Sequence, residues 1–214
     1  MKPRENELAP RLVVGISGAS GAIYGVRLLQ HLRALGVQSH VVMSRGAQLT
    51  LLHESSLKVA DVQQLAHTWY RADDLAAAIA SGSFRTLGMV VAPCSMRSLA
   101  EIAQGMSSNL LTRAADVTLK ERRRLVLLAR ETPLTATHLR NMLSVTEMGG
   151  IVAPPVPAFY ARPRDLDAMI DHTLGRVLDL FDLPTDLAFR WGEVAGIRCA
   201  KCNAATAQPG GENP

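Results

Sequence analysis

The 214-residue chain has few cysteines, few aromatic residues and no long apolar run, and each scarcity excludes a class of protein. Three cysteines cannot build a disulfide framework, which favours the reducing cytoplasm. An aromatic content of 4% leaves little surface for stacking nucleic-acid bases, although the net charge is +4. The longest apolar stretches, such as residues 87–94, fall far short of the roughly 20 residues that cross a bilayer. We therefore expect neither a nucleic acid nor a membrane as a partner.

The composition is that of one folded domain. Hydrophobic residues make up 48% of the chain and charged residues 20%, values that exclude an intrinsically disordered protein. The first ten residues are polar and charged, without the apolar core of a secretory signal. From residue 194 onward the chain is rich in Gly, Ala, Asn and Pro. We predict a polar segment at 1–10, one domain at 11–193 and a disordered tail at 194–214.

Short apolar runs alternate with segments of helical periodicity along most of the domain. Strands are predicted at 12–16, 37–43, 88–93, 125–129 and 151–153, and helices at 22–35, 47–54, 98–104, 110–120, 137–147 and 165–181. Residues 59–80 are predicted as irregular chain with short helices, the last at 73–80. The last long helix is expected to bury one stripe, formed by Leu166, Met169, Ile170, Leu174, Val177, Leu178 and Phe181. This alternation predicts an α/β fold, with helices on both faces of a mainly parallel sheet.

The glycine-rich turn after the first predicted strand is the first candidate for a ligand site. Residues 15–25 read GISGASGAIYG, which matches neither the dinucleotide fingerprint nor the P-loop. Glycines nevertheless let backbone N–H groups approach an anion at the start of a helix, and Ser17 and Ser20 add hydroxyl groups. The alternative is a tight turn whose glycines only allow the helix to pack. Because ligands of parallel sheets lie beyond the carboxyl ends of the strands, we favour the anion site.

Hydroxyl or charged residues also follow the other long predicted strands. Ser44 follows the second strand, Ser95 and Ser98 follow the third, and Arg130 with Glu131 follows the fourth. A serine at such a position is a helix N-cap by default. Four consecutive strand ends of this kind nevertheless favour a phosphorylated ligand.

A basic run and the three cysteines are interpreted as structural features rather than as functional sites. The basic run at 120–124 lies at the C-terminus of a predicted helix, where cations complement the helix dipole, so it does not require a nucleic acid. Cys199 and Cys202 have zinc-knuckle spacing, but one pair is half a site and no metal is predicted. Cys94 follows a buried strand and is expected to be a core residue rather than a nucleophile.

Seven motifs then occur in a characteristic order. They are SGASGAIYG at 17–25, APCS at 92–95, LTRAAD at 111–116, LKERR at 119–123, RETP at 130–133, PAFY at 157–160 and RWGE at 190–193. Together they resemble the flavin prenyltransferase family, the partner enzymes of prenylated-flavin-dependent decarboxylases. The resemblance covers residues 11–193 and implies a chemistry that composition and periodicity do not indicate.

The resemblance implies a flavodoxin-like, Rossmannoid three-layer sandwich that binds FMN. The implied reaction joins the dimethylallyl group of dimethylallyl phosphate to N5 and C6 of reduced FMN, releases phosphate and needs no metal. The diphosphate stays open as an alternative donor. The resemblance further implies a homo-oligomer, expected to be a dodecamer, and a prenylated-FMN-dependent decarboxylase that receives the product.

Site residues are transferred by motif. Those implied to contact FMN are Gly18, Ala19, Ser20, Ser44, Ser95, Met96, Arg97, Ser98 and Arg130. Those implied to bind the prenyl donor are Tyr160, Arg176, Arg113 and Lys120, the last two across subunit contacts. The implied catalytic residues are Glu131, Glu54, Ser20 and Lys120. Glu131 is the expected proton carrier, since protons move at the leaving group and at C6.

Two alternatives are considered. An FMN-dependent cysteine decarboxylase of the related family has an asparagine-rich loop after the third strand, whereas residues 93–98 read PCSMRS. A flavodoxin-like electron carrier is usually acidic, whereas this chain has a net charge of +4. Both features favour the prenyltransferase.

Overall fold

The computed structural model describes residues 9–190. Its strands are β1 (Arg11–Ile16), β2 (Gln38–Met43), β3 (Thr68–Tyr70), β4 (Gly88–Cys94), β5 (Arg124–Ala129) and β6 (Ile151–Val152). Its helices are α1 (Ala22–Ala34), α2 (Arg45–Glu54), α3 (Val59–Leu65), α4 (Met96–Ala103), α5 (Leu110–Lys120), α6 (Ala136–Glu147) and α7 (Leu166–Asp179). Single 3₁₀ turns occupy Ala78–Ala80 and Phe159–Ala161.

The six strands form one sheet in the order β3-β2-β1-β4-β5-β6, and every neighbouring pair is parallel. This is the strand order of the Rossmann fold. The order reverses direction between β1 and β4, so the chain crosses to opposite sides of the sheet after these two strands. The turns after them leave a crevice at the carboxyl edge, where such sheets bind ligands. The predicted α/β fold is confirmed.

Helices cover both faces of the sheet and give the fold three layers. One core joins α1, α2, α3 and α7 to alternate strand residues such as Val14 and Val90. The other joins α4, α5 and α6 to the intervening residues, such as Val13 and Val91. β4 is buried along its whole length because it is covered on both faces. Cys94 at its end is fully buried as predicted, and burial raises the pKa of its thiol to about 12.

Polar contacts fix α7 against α1 across one face of the molecule. The Arg27 guanidinium donates two hydrogen bonds to the carboxylate of Asp171, and His31 Nε2 lies 2.8 Å from the same carboxylate. Partial burial opposes ionisation of Asp171, but these two partners outweigh it and hold its pKa below the usual value. One turn away, Tyr24 and Thr173 share a side-chain hydrogen bond. The position of α7 relative to the carboxyl edge of the sheet is therefore set by α1.

The structure corrects the sequence prediction in three places. β3 is a sixth strand in a region predicted as irregular chain and short helices; it has three residues and owes its conformation to pairing with β2. The helix predicted at 73–80 is wrong, because Ala77 has extended dihedral angles and only Ala78–Ala80 form a 3₁₀ turn. Leu166 is 67% exposed and does not belong to the buried stripe of α7, because it is the first residue of that helix.

Several predictions concern residues outside the described range. These are most of the segment 1–10, the last three residues of the motif at 190–193, and the tail 194–214 with Cys199 and Cys202. Within residues 9–190, no helix combines the length and apolar character needed to cross a membrane.

Candidate functional site

Ser17 joins the ends of the two central strands. Its side chain is almost fully buried, its hydroxyl donates to the Pro93 carbonyl oxygen at 2.9 Å, and it accepts the Ser95 N–H at 2.7 Å. The Ser17 N–H also donates to the Pro93 carbonyl at 3.1 Å. We expected this hydroxyl to face an anion, but the structure uses it to fix the turns after β1 and β4 against each other.

A cavity of about 440 Å³ opens beside this junction at the carboxyl edge of the sheet. It is bounded by the turns that follow β1, β2 and β4 and by the start of α5. Five residues predicted to contact FMN line it together: Gly18, Ser44, Ser95, Arg97 and Ser98. Its other lining residues are Arg45, Gly46, Ala72, Asp73, Glu101, Ser108 and Asn109. Of the remaining predicted contacts, Ala19 is buried and Met96 packs against the core between the sheet and α4.

Two helices begin at this cavity with serine N-caps. The Ser44 hydroxyl accepts the Ala47 N–H at 3.1 Å, and the Ser95 hydroxyl accepts the Ser98 N–H at 3.3 Å and donates to the Ser98 hydroxyl. Each helix N-terminus carries partial positive charge and N–H groups without intrahelical partners. Hydroxyls and helix N-termini form a donor set that suits the phosphate and ribityl hydroxyls of a mononucleotide such as FMN.

Gly18 allows the turn after β1 to approach the backbone of α2 beside the cavity. A Cβ atom added to Gly18 would lie 3.0 Å from the Cα of Gly46, closer than side-chain carbons normally approach backbone. The turn after β1 can therefore lie this close to the backbone of α2 only because residue 18 is glycine. A larger residue at Gly18 would move the turn away from α2 and reshape the cavity.

The N-terminus of α1 is occupied by a side chain of the protein itself. The carboxylate of Glu54 accepts the N–H groups of Gly21, at 2.9 and 3.1 Å, and of Ala22, at 3.1 Å. Partial burial opposes ionisation, but hydrogen bonds from Ser20, Gly21 and Ala22, with the charge of Arg130, outweigh it and lower the pKa of Glu54. The N-terminus of α1, where we expected an anion, is thus occupied by Glu54, whereas the cavity is lined by the residues that begin α2 and α4.

Arg130 and Glu131 follow β5 at the same edge of the sheet. The Arg130 N–H donates to the Cys94 carbonyl at 3.1 Å, and the charge of its exposed side chain acts on Glu54 and Tyr24. Glu131 is exposed, and one of its carboxylate oxygens accepts the Thr132 N–H at 3.0 Å. In residues 9–190 no ion pair joins Glu131 to Arg130. The Glu131 carboxylate keeps the freedom to meet a ligand.

A second cavity, of about 610 Å³, lies between the loop after β6 and the outer side of α7. Tyr160 and Arg176 both line it, as the resemblance implied for a donor site. Its other walls are largely apolar, with Pro154, Val156, Pro157, Phe159 and Leu180 among them. An apolar cavity with one guanidinium and one phenol has the composition that a short prenyl chain with an anionic end requires.

Sequence reasoning missed two polar residues in these cavities. His172 is buried beside Tyr160, with ring centroids 5.6 Å apart, and its Nε2 has no hydrogen-bond partner within the described part of the chain. Glu101 accepts the Arg97 Nε–H at 3.0 Å and the Ser108 hydroxyl at 2.6 Å, so it fixes the Arg97 side chain. The spacing of four residues, His172 to Arg176 and Arg97 to Glu101, is the signal that could have identified both.

The predicted residues do not line one common cavity in the described part of the chain. The two cavities share no lining residue. Arg113 and Lys120 lie on α5, line neither cavity, and pair with Asp116 and Glu121 at 2.7 Å. Among the described residues, no group of three or more His, Cys, Asp or Glu side chains is arranged to hold a metal ion.

Comparison with known proteins gives consistent results. The family model described as Flavoprotein matches residues 1–179. The curated protein named flavin prenyltransferase UbiX from Escherichia coli K12 is 56% identical over 184 residues, which are 85% of this chain and 97% of that protein.

Two solved structures are similar over nearly the whole described chain. AnUbiX (PadA1), solved in complex with FMN and dimethylallyl pyrophosphate, superposes with a TM-score of 0.86 at 48% identity, covering 88% of this chain and all of that one. A dodecameric FMN-dependent UbiX-like decarboxylase from Escherichia coli O157:H7 gives a TM-score of 0.82 at 49% identity, covering 85% and 98%.

Proposed function

The chain belongs to the flavoprotein family as a flavin prenyltransferase of the UbiX type, and from this membership we propose how its residues carry out the reaction. The proposed reaction transfers the dimethylallyl group of dimethylallyl phosphate to N5 and C6 of reduced FMN and releases phosphate. The observation that carries the proposal is the cavity at the β1–β4 crevice. Two serine-capped helix N-termini face it, and Arg130 and Glu131 follow the adjoining strand.

We propose that this cavity holds FMN. The N-termini of α2 and α4, with the hydroxyls of Ser44, Ser95 and Ser98, would bind the phosphate and ribityl chain. Backbone groups of Gly18, Ala19 and Ser20 would lie along the ring system, and Arg97 and Arg130 would add positive charge. Reduced FMN supplies the nucleophilic N5 and C6 positions when it is bound.

Cationic side chains would bind the phosphate of the donor. In the absence of a metal, leaving of an allylic phosphate requires positive charge and hydrogen-bond donors at its oxygens. Tyr160 and Arg176 share one cavity and provide both. Arg113 and Lys120 lie seven residues apart on the same side of α5 and would provide further charge to the site of a neighbouring chain.

Glu131 is the better candidate for moving protons. The Glu54 carboxylate accepts three backbone hydrogen bonds, so both of its oxygens are already engaged by the turn and are not free to take up or release a proton. Its proposed role is to hold the glycine turn, with Ser20, against the flavin. Glu131 accepts a single backbone hydrogen bond, and it would exchange protons with the leaving phosphate and with C6.

The surface of the chain supports assembly. Large apolar side chains are exposed on α2, on α6 and in the loop after β6: Leu49, Leu52, Leu139, Leu143, Val156 and Phe159. Exposed apolar groups in such number favour contacts between copies. With a dodecameric relative of 49% identity, we propose a dodecamer. Light scattering at micromolar concentration should give a particle much larger than 23.1 kDa, and a monomer would contradict the proposal.

We propose that the product passes to a prenylated-FMN-dependent decarboxylase in the cytoplasm. The decisive experiment incubates the protein anaerobically with reduced FMN and, separately, dimethylallyl phosphate or the diphosphate. Mass spectrometry should show a flavin heavier by one dimethylallyl group and released inorganic phosphate or diphosphate. Unchanged flavin with both donors would overturn the proposal. The productive donor settles which leaving group the cavity accepts.

A further inference from the structure

A third cavity lies at the opposite, amino edge of the sheet, away from both cavities of the proposed reaction. It has a volume of about 590 Å³ and is formed where β4, β5 and β6 begin and where α5, α6 and α7 end. Its apolar lining consists of Leu87, Leu119, Met148, Ile151 and Phe181. Its charged lining consists of Arg122, Arg123, Arg124 and Asp182.

The three consecutive arginines of this cavity differ in how many hydrogen bonds and ion pairs they form with the rest of the protein. Arg123 donates to the carbonyl oxygens of Gly82 and Phe84 at 2.6 and 2.7 Å, so its guanidinium has a structural role. Arg124 has only a 3.6 Å contact with Asp182, a residue whose side chain is 92% exposed. Arg122 has neither an ion pair nor a side-chain hydrogen bond with any residue between 9 and 190. Two guanidinium groups therefore face the cavity against one solvated carboxylate.

The backbone at Arg122 gives a second, independent indication. Arg122 follows α5 with φ of 56°, a left-handed conformation in which helices usually place glycine. Asp182, on the opposite wall, also has φ of 56°. Non-glycine residues with positive φ cluster at ligand sites. Where a turn has no other role, glycine adopts the same conformation with less strain. Glycine at position 122 would end the helix with less strain, but the cavity would then lose the guanidinium group that forms no ion pair or hydrogen bond with residues 9–190.

We propose that this cavity binds a carboxylate attached to a small apolar body, such as an aromatic acid. Arg122 and Arg124 would hold the carboxylate, since the guanidinium fork matches its two oxygens. Leu119, Ile151 and Phe181 would contact the hydrocarbon. The volume lies in the usual range for small-ligand cavities. The site is independent of the flavin reaction, because it shares no residue with either cavity at the carboxyl edge.

The test measures ligand binding by calorimetry on the full chain saturated with oxidised FMN and dimethylallyl phosphate, which keep the probe out of the flavin cavity and of the Tyr160–Arg176 cavity. Benzoate is the probe, and two matched compounds each remove one feature: acetate lacks the apolar body and benzyl alcohol lacks the charge. We expect saturable binding of benzoate and at least about tenfold weaker binding of both controls. Equal binding of benzyl alcohol, or no binding of benzoate, overturns the proposal.

Variants at position 122 separate a ligand role from a structural one. Arg122→Gly should weaken benzoate binding at least about tenfold and at the same time raise Tm, because glycine relieves the backbone strain. Arg33→Gln, an exposed arginine of α1 outside this cavity, should leave benzoate binding unchanged. Prenyl transfer should be the same in both variants. If Arg122→Gly binds benzoate normally, or lowers Tm and changes the particle mass in light scattering, Arg122 serves folding or assembly and the proposal fails.

Discussion

The carboxylate of Glu54, at the end of α2, accepts the N–H of Gly21 through both of its oxygens and so closes the turn that follows β1. The two residues are 33 positions apart in the chain. The bond occupies the positive end of α1, stabilises the glycine turn, and joins α2 to α1 at the edge where FMN is proposed to bind. Glu54 is therefore the residue whose substitution would loosen the turn that carries the proposed backbone contacts to the flavin.

Glu54→Gln should destabilise the protein by about 1 to 2 kcal/mol, because a neutral amide cannot replace a charged acceptor of several N–H groups. Folding lowers the pKa of Glu54 from its ordinary value of 4.5. The ionised carboxylate therefore stabilises the folded protein fully above pH 4.5, and this stabilisation is lost as the pH falls below 4.5. Thermal unfolding at pH 7 and pH 3.5 should therefore show a difference between the proteins that shrinks in acid. Glu147→Gln, at the exposed end of α6, is the control and should match the wild type at both pH values.

Glu131→Gln should lower prenyl transfer about 100-fold or more, the usual contribution of a general acid or base. FMN affinity should stay unchanged, because Ser44, Ser95 and the glycine turn are not altered. Anaerobic turnover and fluorescence titration of FMN measure the two quantities separately. Turnover at the wild-type rate would mean that Glu131 carries no proton. Equal loss of turnover and of FMN affinity would assign Glu131 to binding.

Gly25→Ala should destabilise the fold by about 1 to 3 kcal/mol through overpacking. A Cβ atom there would lie 2.6 Å from the Ala92 carbonyl oxygen and 2.8 Å from Ile16 Cδ1, since α1 crosses the central strands at this glycine. Chemical denaturation at neutral pH measures the loss. Gln30→Ala, on the exposed side of the same helix, should change the unfolding free energy by less than about 0.5 kcal/mol. A similar small effect at Gly25 would show that the backbone of β4 yields easily.

His40 should make the protein sensitive to mild acid. Burial, with the nearby charges of His67 and Arg11, lowers the pKa of His40 from 6.5 to about 4. The unfolded chain therefore binds a proton there at a higher pH than the folded chain, and stability falls as the pH drops from 6.5 toward 4. The slope is at most about 1.4 kcal/mol per pH unit.

The unfolding free energies of His40→Asn and of the wild type, measured between pH 6.5 and pH 4, test whether His40 makes stability fall as the pH drops. The Tyr70 hydroxyl lies 2.9 Å from His40 Nδ1, and an asparagine side chain would preserve a polar partner for it. Unlike histidine, asparagine does not titrate. The variant should therefore lose less stability per pH unit than the wild type. His53→Asn, at an exposed position of α2, should reproduce the wild-type slope. Parallel slopes for all three proteins would contradict a buried neutral His40.

The sequence predicted what depends on local patterning and missed what depends on distant contacts. β1 and β4 are continuous apolar runs because helices cover both faces of the sheet at these strands, so the sequence alone predicted both strands. β3 has only three residues, and its order comes from pairing with β2. The serine caps of α2 and α4 follow from local rules, whereas no local rule brings Glu54 to Gly21 or turns the Ser17 hydroxyl inward.

The resemblance indicated site residues as a list, but it did not show how they are distributed in space. Ser44, Ser95 and Arg97 meet in one cavity because parallel strands end at one edge. Tyr160 and Arg176 meet in another because α7 is fixed to α1 by Asp171 and Arg27. That arrangement depends on packing between elements far apart in the chain, which periodicity and spacing do not encode.

The position of Lys120 on α5, outside the flavin cavity, has a genetic consequence. Because Lys120 is proposed to serve the site of a neighbouring chain, an allele defective at Ser95 and an allele defective at Lys120 damage different halves of each site. Each allele alone would give a null phenotype. A cell that expresses both would build mixed assemblies in which some sites receive two intact halves, so the two mutations would complement within a single gene.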